Sequence, residues 1–194
     1  MSFLNDLLKC RRNLKPTETL ITHVDGQCLI ESRSTTLPVK IERKPYGFIV
    51  DNKPDDKPAK ILDYLYLGSQ DCCSKEVLQA YNITNILSIG IKTPIEDPDI
   101  KCHYLECLDL PETNIWNIIN SSVTVIKNSV NNCESILVHC NAGISRSASV
   151  VIGYLVLEHN YNFLNAFEHV RSARPVVNPN NGFMKQLREY HLYI

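Results

Sequence analysis

The segment between residues 136 and 158 constrains the fold of this 194-residue chain more than any other part of it. It begins with the short apolar run Ile136-Leu137-Val138, which is typical of a buried central strand. A polar loop follows, and Ser147 to Glu158, rich in Val, Ile and Leu on nearly all sides, then predicts a buried helix. A buried strand that passes directly into a buried helix indicates an α/β fold.

The chain around this segment repeats the alternation of strands and helices. Strands are predicted at Ile61–Leu67, Ile83–Ile89 and Cys102–Leu108. Helices are predicted at Ser74–Tyr81, 115–130, Phe163–Arg171 after the cap Asn162, and Asn181–Tyr190. The predicted fold is therefore α/β, with a mostly parallel central sheet of about five strands flanked by helices.

Residues 1–56 differ in character and are predicted to form an N-terminal appendage to a domain at 57–194. Ser2 to Lys15 is predicted as a short amphipathic helix. Asp25-Gly26 is a strong hairpin turn signal. The strands on either side of that turn are predicted at Thr19–Val24 and Gln27–Glu31, and a linker is predicted at 51–56.

The charge and the N-terminal sequence exclude several classes of protein. The 20 basic and 21 acidic residues give a net charge of −1, which excludes a strongly basic nucleic-acid binder and gives no attraction to membranes. The apolar residues of Met1–Pro16 are interrupted by Asn5 and Asp6, so this stretch is neither a signal peptide nor a membrane span. We therefore expect a cytoplasmic or nuclear protein.

The eight cysteines are an even number and raise the question of disulfides. A chain of this length needs no covalent crosslinks to fold, and it contains no C-x-x-C pair for zinc. Most of the cysteines are therefore expected to be small buried hydrophobic residues.

The loop after the predicted central strand carries the chemistry. It places Cys140 at the end of that strand and passes into a helix that begins near Arg146. Consecutive backbone amides in such a loop, together with the helix N-terminus, form a binding site for an anion such as a phosphoryl group. Gly143 supplies the backbone freedom that a tight loop needs. The candidate phosphate-binding residues are Asn141, Ala142, Gly143, Ile144, Ser145 and Arg146.

The same electrostatic field that attracts phosphate stabilises a thiolate, so Cys140 is expected to be an ionised nucleophile at neutral pH. The planar guanidinium of Arg146 can bind two phosphoryl oxygens at once, which a lysine cannot do. Ser147 can donate a hydrogen bond to the Cys140 sulfur when it acts as the leaving group.

A general acid is needed because an alkoxide or phenolate is a poor leaving group, and Asp109 is the candidate. It follows a predicted strand and precedes Pro111, which places it in a loop at the carboxyl end of the sheet. Two alternatives stay open from spacing alone. Asp109 could simply precede a helix, or Glu112, three residues further on, could be the acid.

These motifs resemble the dual-specificity branch of the cysteine-dependent protein tyrosine phosphatase superfamily. The resemblance rests on the spacing His-Cys-x5-Arg-Ser and extends from about Ile61 to Tyr190. Further matching segments are Tyr66-Leu67-Gly68-Ser69, Asp109 with Asn114-Ile115, Arg174-Pro175, and Pro179 to Leu187. Together the segments are most similar to the small atypical member that regulates the stress-activated protein kinase pathway.

The resemblance implies hydrolysis of phosphotyrosine and phosphoserine or phosphothreonine in proteins, through a phosphocysteine on Cys140, with no metal or other cofactor. It implies that His139 and Asn180 support the site, Asn180 by contacting both the acid and phosphate loops. The implied partners are phosphorylated proteins, including kinases of the MAP kinase pathway, and neither nucleic acid nor membrane. The alternative is a scaffold or phosphoprotein-binding module of a kinase pathway, with incidental catalysis, suggested by Phe3, Leu4, Leu7 and Leu8 beside Lys9, Arg11 and Arg12.

Overall fold

The computed structural model describes residues 18–22, 28–32, 39–41, 55–93, 95 and 97–190. The chain divides into two units, Met1–Pro45 and Tyr46–Ile194. The predicted helix Ser2–Lys15 and the turn Asp25-Gly26 lie outside the described residues. The domain boundary between residues 56 and 57 stays a prediction.

The first unit contains a three-stranded antiparallel sheet in the order β1 (Glu18–Thr22), β2 (Cys28–Ser32), β3 (Val39–Ile41). Glu18 pairs with Ser32 and Thr22 with Cys28, as in a hairpin. The two strands predicted around residues 25 and 26 are thereby confirmed. The third strand has no counterpart in the predictions, because three residues are too few for an alternating pattern to stand out.

The second unit is built on a five-stranded sheet in the order β4-β5-β8-β6-β7. Its strands are β4 (Ala59–Leu62), β5 (Leu65–Gly68), β6 (Ile83–Ile89), β7 (Lys101–Leu105) and β8 (Ser135–His139). Its helices are α1 (Lys75–Ala80), α2 (Ile115–Asn131), α3 (Arg146–Glu158), α4 (Phe163–Ala173) and α5 (Asn181–Arg188). Only the β4–β5 pair is antiparallel, so the predicted fold class is confirmed.

The strand β8 lies at the centre of the sheet, between β5 and β6, and all five of its residues are buried. Helix α3 is buried from Ser147 to Val156, as its sequence predicts. It approaches α2 closely because Gly153 leaves room for the side chain of Ile119. The loop that connects β8 to α3 therefore opens at the carboxyl edge of the sheet from the middle of the core, where α/β proteins bind their ligands.

Two strand predictions need correction. Ile61–Leu67 is not one strand but an antiparallel pair, because the chain turns at Asp63 and Tyr64, with Tyr64 at a φ of 65°. The strand predicted at Cys102–Leu108 ends at Leu105. Beyond it the large apolar Leu108 is 61% exposed, so its hydrophobicity is not a sign of a buried strand.

The helix predictions are confirmed with small shifts at the ends. Ser74 caps α1, with its hydroxyl accepting from the amide of Val77, and Asn162 caps α4 by accepting from the amide of Asn165. The last helix ends at Arg188 instead of Tyr190. None of the helices in the described part of the chain is long and apolar enough to span a bilayer.

Candidate active site

The loop at residues 140–146, called here the Cys140 loop, directs a run of six backbone carbonyls toward the surrounding protein. Each carbonyl from residue 140 to residue 145 lies within hydrogen-bonding distance of a donor. The pairs are His139 Nδ1 with Cys140 O at 3.1 Å, Gln70 N with Asn141 O at 2.9 Å, Arg174 Nη2 with Ala142 O at 2.9 Å, Arg174 Nε with Gly143 O at 3.0 Å, Asn178 N with Ile144 O at 3.0 Å, and Ser149 N with Ser145 O at 2.8 Å.

The outward carbonyls determine where the amides of the loop point. In a planar trans peptide the N–H points opposite to the preceding C=O, so the amides of residues 141–146 face the inside of the loop. Gly143 makes this path possible with a φ of 65°, and a Cβ there would collide with the carbonyl of Gly68. The amides converge at the N-terminus of α3, which is an arrangement that binds anions.

The sulfur of Cys140 lies at the base of this loop and is almost completely buried. The Ser147 hydroxyl donates a hydrogen bond to it at 3.2 Å. Ser147 is itself fully buried on the first turn of α3. The predicted contact between Ser147 and the nucleophile is therefore present, and it supplies a donor to the sulfur without a charged side chain.

The guanidinium of Arg146 extends along the edge of the loop. Its Nη1 donates to the carbonyl of Gly90 at 3.3 Å, which fixes the plane of the fork. Its Nε is buried and has no hydrogen-bond partner within the described part of the chain. A buried donor without a partner is costly, so this N–H is suited to a ligand oxygen such as that of a phosphoryl group.

Asp109 is brought to the Cys140 loop by two hydrogen bonds to the same carboxylate oxygen. The Ser145 hydroxyl donates to Asp109 Oδ1 at 2.7 Å, and Asn180 Nδ2 donates to it at 2.8 Å. The other oxygen, Oδ2, lies 3.9 Å from Arg146 Nε. Asp109 is partly exposed, so its carboxylate is accessible from solvent. The competing carboxylate Glu112 is exposed on the surface.

The loop at residues 106–114, called here the Asp109 loop, is held to α5 on its far side. Gln186 accepts from the amide of Ile115 at 3.0 Å and donates to the carbonyl of Thr113 at 2.9 Å. Pro111 packs on Gly182 so closely that a Cβ at residue 182 would overlap it. These contacts position Asp109 through backbone and side chains that do not themselves touch the Cys140 loop.

Asn180 links the two loops, as the resemblance implied. Its side chain caps α5 by accepting from the amide of Phe183 at 2.9 Å, while its Nδ2 holds Asp109. Its own amide donates to the Ser145 hydroxyl at 3.1 Å. Ser145, Asp109 and Asn180 therefore form a closed network, which holds the carboxylate beside the Cys140 loop.

His139 supports the loop from below, as a neutral ring. A carbonyl cannot donate, so the contact with Cys140 O places the proton on Nδ1. Nε2 is then an acceptor for the hydroxyl of Ser88 or Thr93, each 2.7 Å away. Burial lowers the pKa of His139 from 6.5 to about 4, with a smaller contribution from the charge of Arg146.

This buried histidine predicts that the fold is sensitive to acid. Unfolded His139 takes up a proton below pH 6.5, whereas the folded residue resists it down to about pH 4. Its contribution to stability is complete above that window and falls as the pH drops through it, by about 3 kcal/mol in total. We expect the free energies of unfolding of wild type and His139→Gln, from denaturant titrations, to converge between these two pH values.

The exposed His103 on β7 provides the matched control. His103→Gln makes the same substitution at the surface, and it should leave the free energy of unfolding at neutral pH close to that of wild type. Parallel curves for wild type and His139→Gln across the acid range would contradict the assignment of His139 as a buried neutral ring.

Four residues that shape the site were missed in the sequence. The sequence indicates Arg174 only as part of a matching segment and predicts Asp55 only as part of a linker. Ser88 and Thr93 were not singled out at all. Their contacts with the site join residues far apart in the chain, and no local spacing encodes such contacts. The one available signal is that Arg174 is a charged residue directly before Pro175, at the end of an amphipathic helix.

Burial keeps the thiols of two other cysteines neutral. No disulfide is formed by the six cysteines between residues 72 and 140, which are Cys72, Cys73, Cys102, Cys107, Cys133 and Cys140. Burial raises the pKa of Cys73 to about 12 and that of Cys107 to about 11, so both are neutral thiols at physiological pH. Cys102 and Cys133 are exposed, and they lie outside the network around the Cys140 loop.

A family model and an individual relative both match this chain over most of the second unit, and their descriptions agree. The family model described as "Dual specificity phosphatase, catalytic domain" matches residues 65–192. The mouse protein named "Dual specificity protein phosphatase 19" is 34% identical over 202 residues, covering 99% of this chain and 91% of its own length.

Two further relatives differ in what their names describe. The crystal structure of a human tyrosine phosphatase-like serine/threonine/tyrosine-interacting protein superimposes with a TM-score of 0.65 at 33% identity, covering 70% of this chain and 96% of that one. A Dictyostelium discoideum protein named "MAP kinase phosphatase with leucine-rich repeats protein 1" is 32% identical over 134 residues, covering 69% of this chain and 16% of that protein.

Proposed function

The chain belongs to the dual-specificity phosphatase family and is a dual-specificity protein phosphatase, and from that premise we propose that it works through a phosphocysteine intermediate on Cys140. The observation that carries this proposal is the hydrogen bond from Ser145 to Asp109, which joins a candidate acid to the loop that holds the candidate nucleophile. The proposed reaction needs the acid Asp109 and the nucleophile Cys140 at the same phosphoryl group, so it requires the two loops to lie side by side.

In the first step Cys140 Sγ attacks phosphorus and the bond between phosphorus and the ester oxygen breaks. Arg146 and the inward amides bind the three non-bridging oxygens, whose charge they balance in the transition state. Asp109 transfers its proton from Oδ2 to the leaving oxygen, so that tyrosine, threonine or serine departs as a neutral hydroxyl.

In the second step water attacks the phosphorus of phosphocysteine, and Asp109 takes up its proton. The bond between sulfur and phosphorus breaks, inorganic phosphate leaves, and the thiolate of Cys140 is restored. The Ser147 hydroxyl, 3.2 Å from Sγ, stabilises the departing sulfur. No other reactant is consumed.

The substrates that we propose are phosphorylated kinases of the stress-activated and MAP kinase pathways. Support comes from the resemblance to an atypical phosphatase of that pathway and from the relative named a MAP kinase phosphatase. We further propose that the protein works in the cytoplasm. Exposed and unpaired cysteines such as Cys102 and Cys133 are suited to a reducing compartment.

The second candidate is a phosphoprotein-binding module, favoured by the relative named an interacting protein. The two candidates make different predictions for the wild-type protein. An enzyme hydrolyses phosphotyrosine and phosphothreonine peptides with EDTA present and, when quenched in acid during turnover of ³²P-labelled substrate, retains label on Cys140. A binding module with incidental catalysis captures the same peptides and releases phosphate from them only slowly. Absence of both phosphate release and label would contradict the proposed reaction.

A further inference from the structure

Asp55 lies before residues 65–192, the segment that the family model matches. Its amide, its carbonyl and its carboxylate nevertheless all form contacts with that segment. Its amide donates to Asp71 Oδ2 at 3.1 Å. Its carbonyl lies 2.8 Å from the Ser69 hydroxyl and 3.1 Å from the Cys72 sulfur, both of which donate to it. Its carboxylate forms an ion pair with Arg174 Nη2. Asp55 is thus fixed by backbone contacts as well as by its side chain.

Arg174 is 95% buried, since only 5% of its surface is exposed, and its donors are directed at the Cys140 loop. Nε donates to the carbonyl of Gly143 and Nη2 donates to that of Ala142 as well as to Asp55. A buried guanidinium needs a counter-charge, and Asp55 is the carboxylate that forms its ion pair. The planar fork fixes both peptide units at once, which a lysine ammonium cannot do.

We propose that Asp55 and Arg174 are positioning residues for phosphate binding, and this inference rests on the phosphate site of the proposed function. Arg174 keeps two loop carbonyls turned outward, and the amides that follow them, those of Gly143 and Ile144, consequently point inward at the phosphoryl group. Asp55 holds Arg174 in that orientation. The anion affinity of the site therefore depends on a residue outside the segment at 65–192 that defines the family.

The test measures phosphate binding directly, by calorimetric titration of inorganic phosphate into the full-length protein. Asp55→Asn keeps the backbone contacts of residue 55 and removes only its charge. We expect the dissociation constant for phosphate to rise about tenfold and kcat/KM for an aryl phosphate to fall by a similar factor, because misplaced groups bind and react poorly. Arg174→Lys should show a loss at least as large.

Glu134→Gln is the matched control, because it breaks the ion pair with Lys101 at the other end of β8, where no catalytic residue lies. It should change neither phosphate affinity nor kcat/KM. Asp55→Asn introduced into the Arg174→Lys protein should add little to the loss, since the two residues act through one contact. Thermal melting of each variant shows that it is folded at the assay temperature.

Lower melting temperatures with unchanged phosphate affinity in both variants would overturn the proposal and leave the ion pair as a purely stabilising contact. Additive losses in the double variant would overturn the claim that Asp55 acts through Arg174. The titration also separates this inference from the proposed function. A wild-type protein that binds phosphate but releases none from esters would contradict the function, and the affinities would still test the positioning role.

Discussion

Cys140→Ser is expected to abolish turnover, with kcat for an aryl phosphate falling on the order of 10⁴-fold or more, because a serine hydroxyl is un-ionised at neutral pH. The loop itself should be intact in this variant. The outward carbonyls and the Arg146 guanidinium do not depend on the sulfur, so phosphate affinity should stay close to that of wild type. Steady-state kinetics and phosphate titration together measure the two effects.

Cys107→Ser is the matched control for this experiment. Cys107 is also buried and lies in the Asp109 loop, but burial raises the pKa of its thiol to about 11, so it is not an anionic nucleophile at neutral pH. We expect its kcat to stay within a few-fold of wild type. Retained turnover in Cys140→Ser, or equal losses in the two variants, would refute the assignment of the nucleophile.

Asp109→Asn is expected to lower kcat by about 10²- to 10⁴-fold on a phosphothreonine peptide. The substitution is conservative in geometry, since an amide oxygen can still accept from both Ser145 and Asn180 at the position of Oδ1. What it removes is the carboxyl group that the proposed mechanism uses as the general acid. The loss should therefore be much smaller for an activated aryl phosphate, whose leaving group departs without protonation.

The general acid is assigned by comparing two losses of kcat in Asp109→Asn, one on the phosphothreonine peptide and one on the activated aryl phosphate. Glu112→Gln, three residues further along the same loop, removes an exposed carboxylate and should change kcat little for either substrate. Equal losses of Asp109→Asn on the threonine and the activated aryl substrates would indicate a purely structural role. A leaving-group dependence that appears in Glu112→Gln instead would transfer the role of acid to that residue.

The sequence was most informative where a physical requirement acts over a few neighbouring residues. The chain passes from the buried strand β8 through the Cys140 loop into the buried helix α3. Both buried elements require apolar residues, and these residues identify the strand, the loop and the helix together. Caps such as Ser74 and Asn162 are equally local, because the side chain binds an amide three residues ahead. The predictions at these positions agree with the structure.

Predictions failed in two situations. In one, the structure depends on a contact between residues far apart in the chain, and in the other it depends on a single backbone angle. The turn at Tyr64 depends on a positive φ that nothing in its chemical nature favours. The ion pair of Asp55 and Arg174 spans 119 residues, so local spacing could not indicate it. Spacing alone leaves the role of Asp109 as the acid an even choice, and its contacts with Ser145 and Asn180 favour it over Glu112.

The six outward carbonyls of the Cys140 loop have a thermodynamic consequence for the whole second unit. Their donors come from β8, from the connection after β5, from α3 and from the segment after α4, so the loop has its binding shape only when all of these are in place. Phosphate that binds there as we propose would bind the native state and not the unfolded chain, so a rising phosphate concentration should raise the free energy of unfolding by mass action. The proposed anion site therefore couples phosphate binding to the folding of every element that holds the loop.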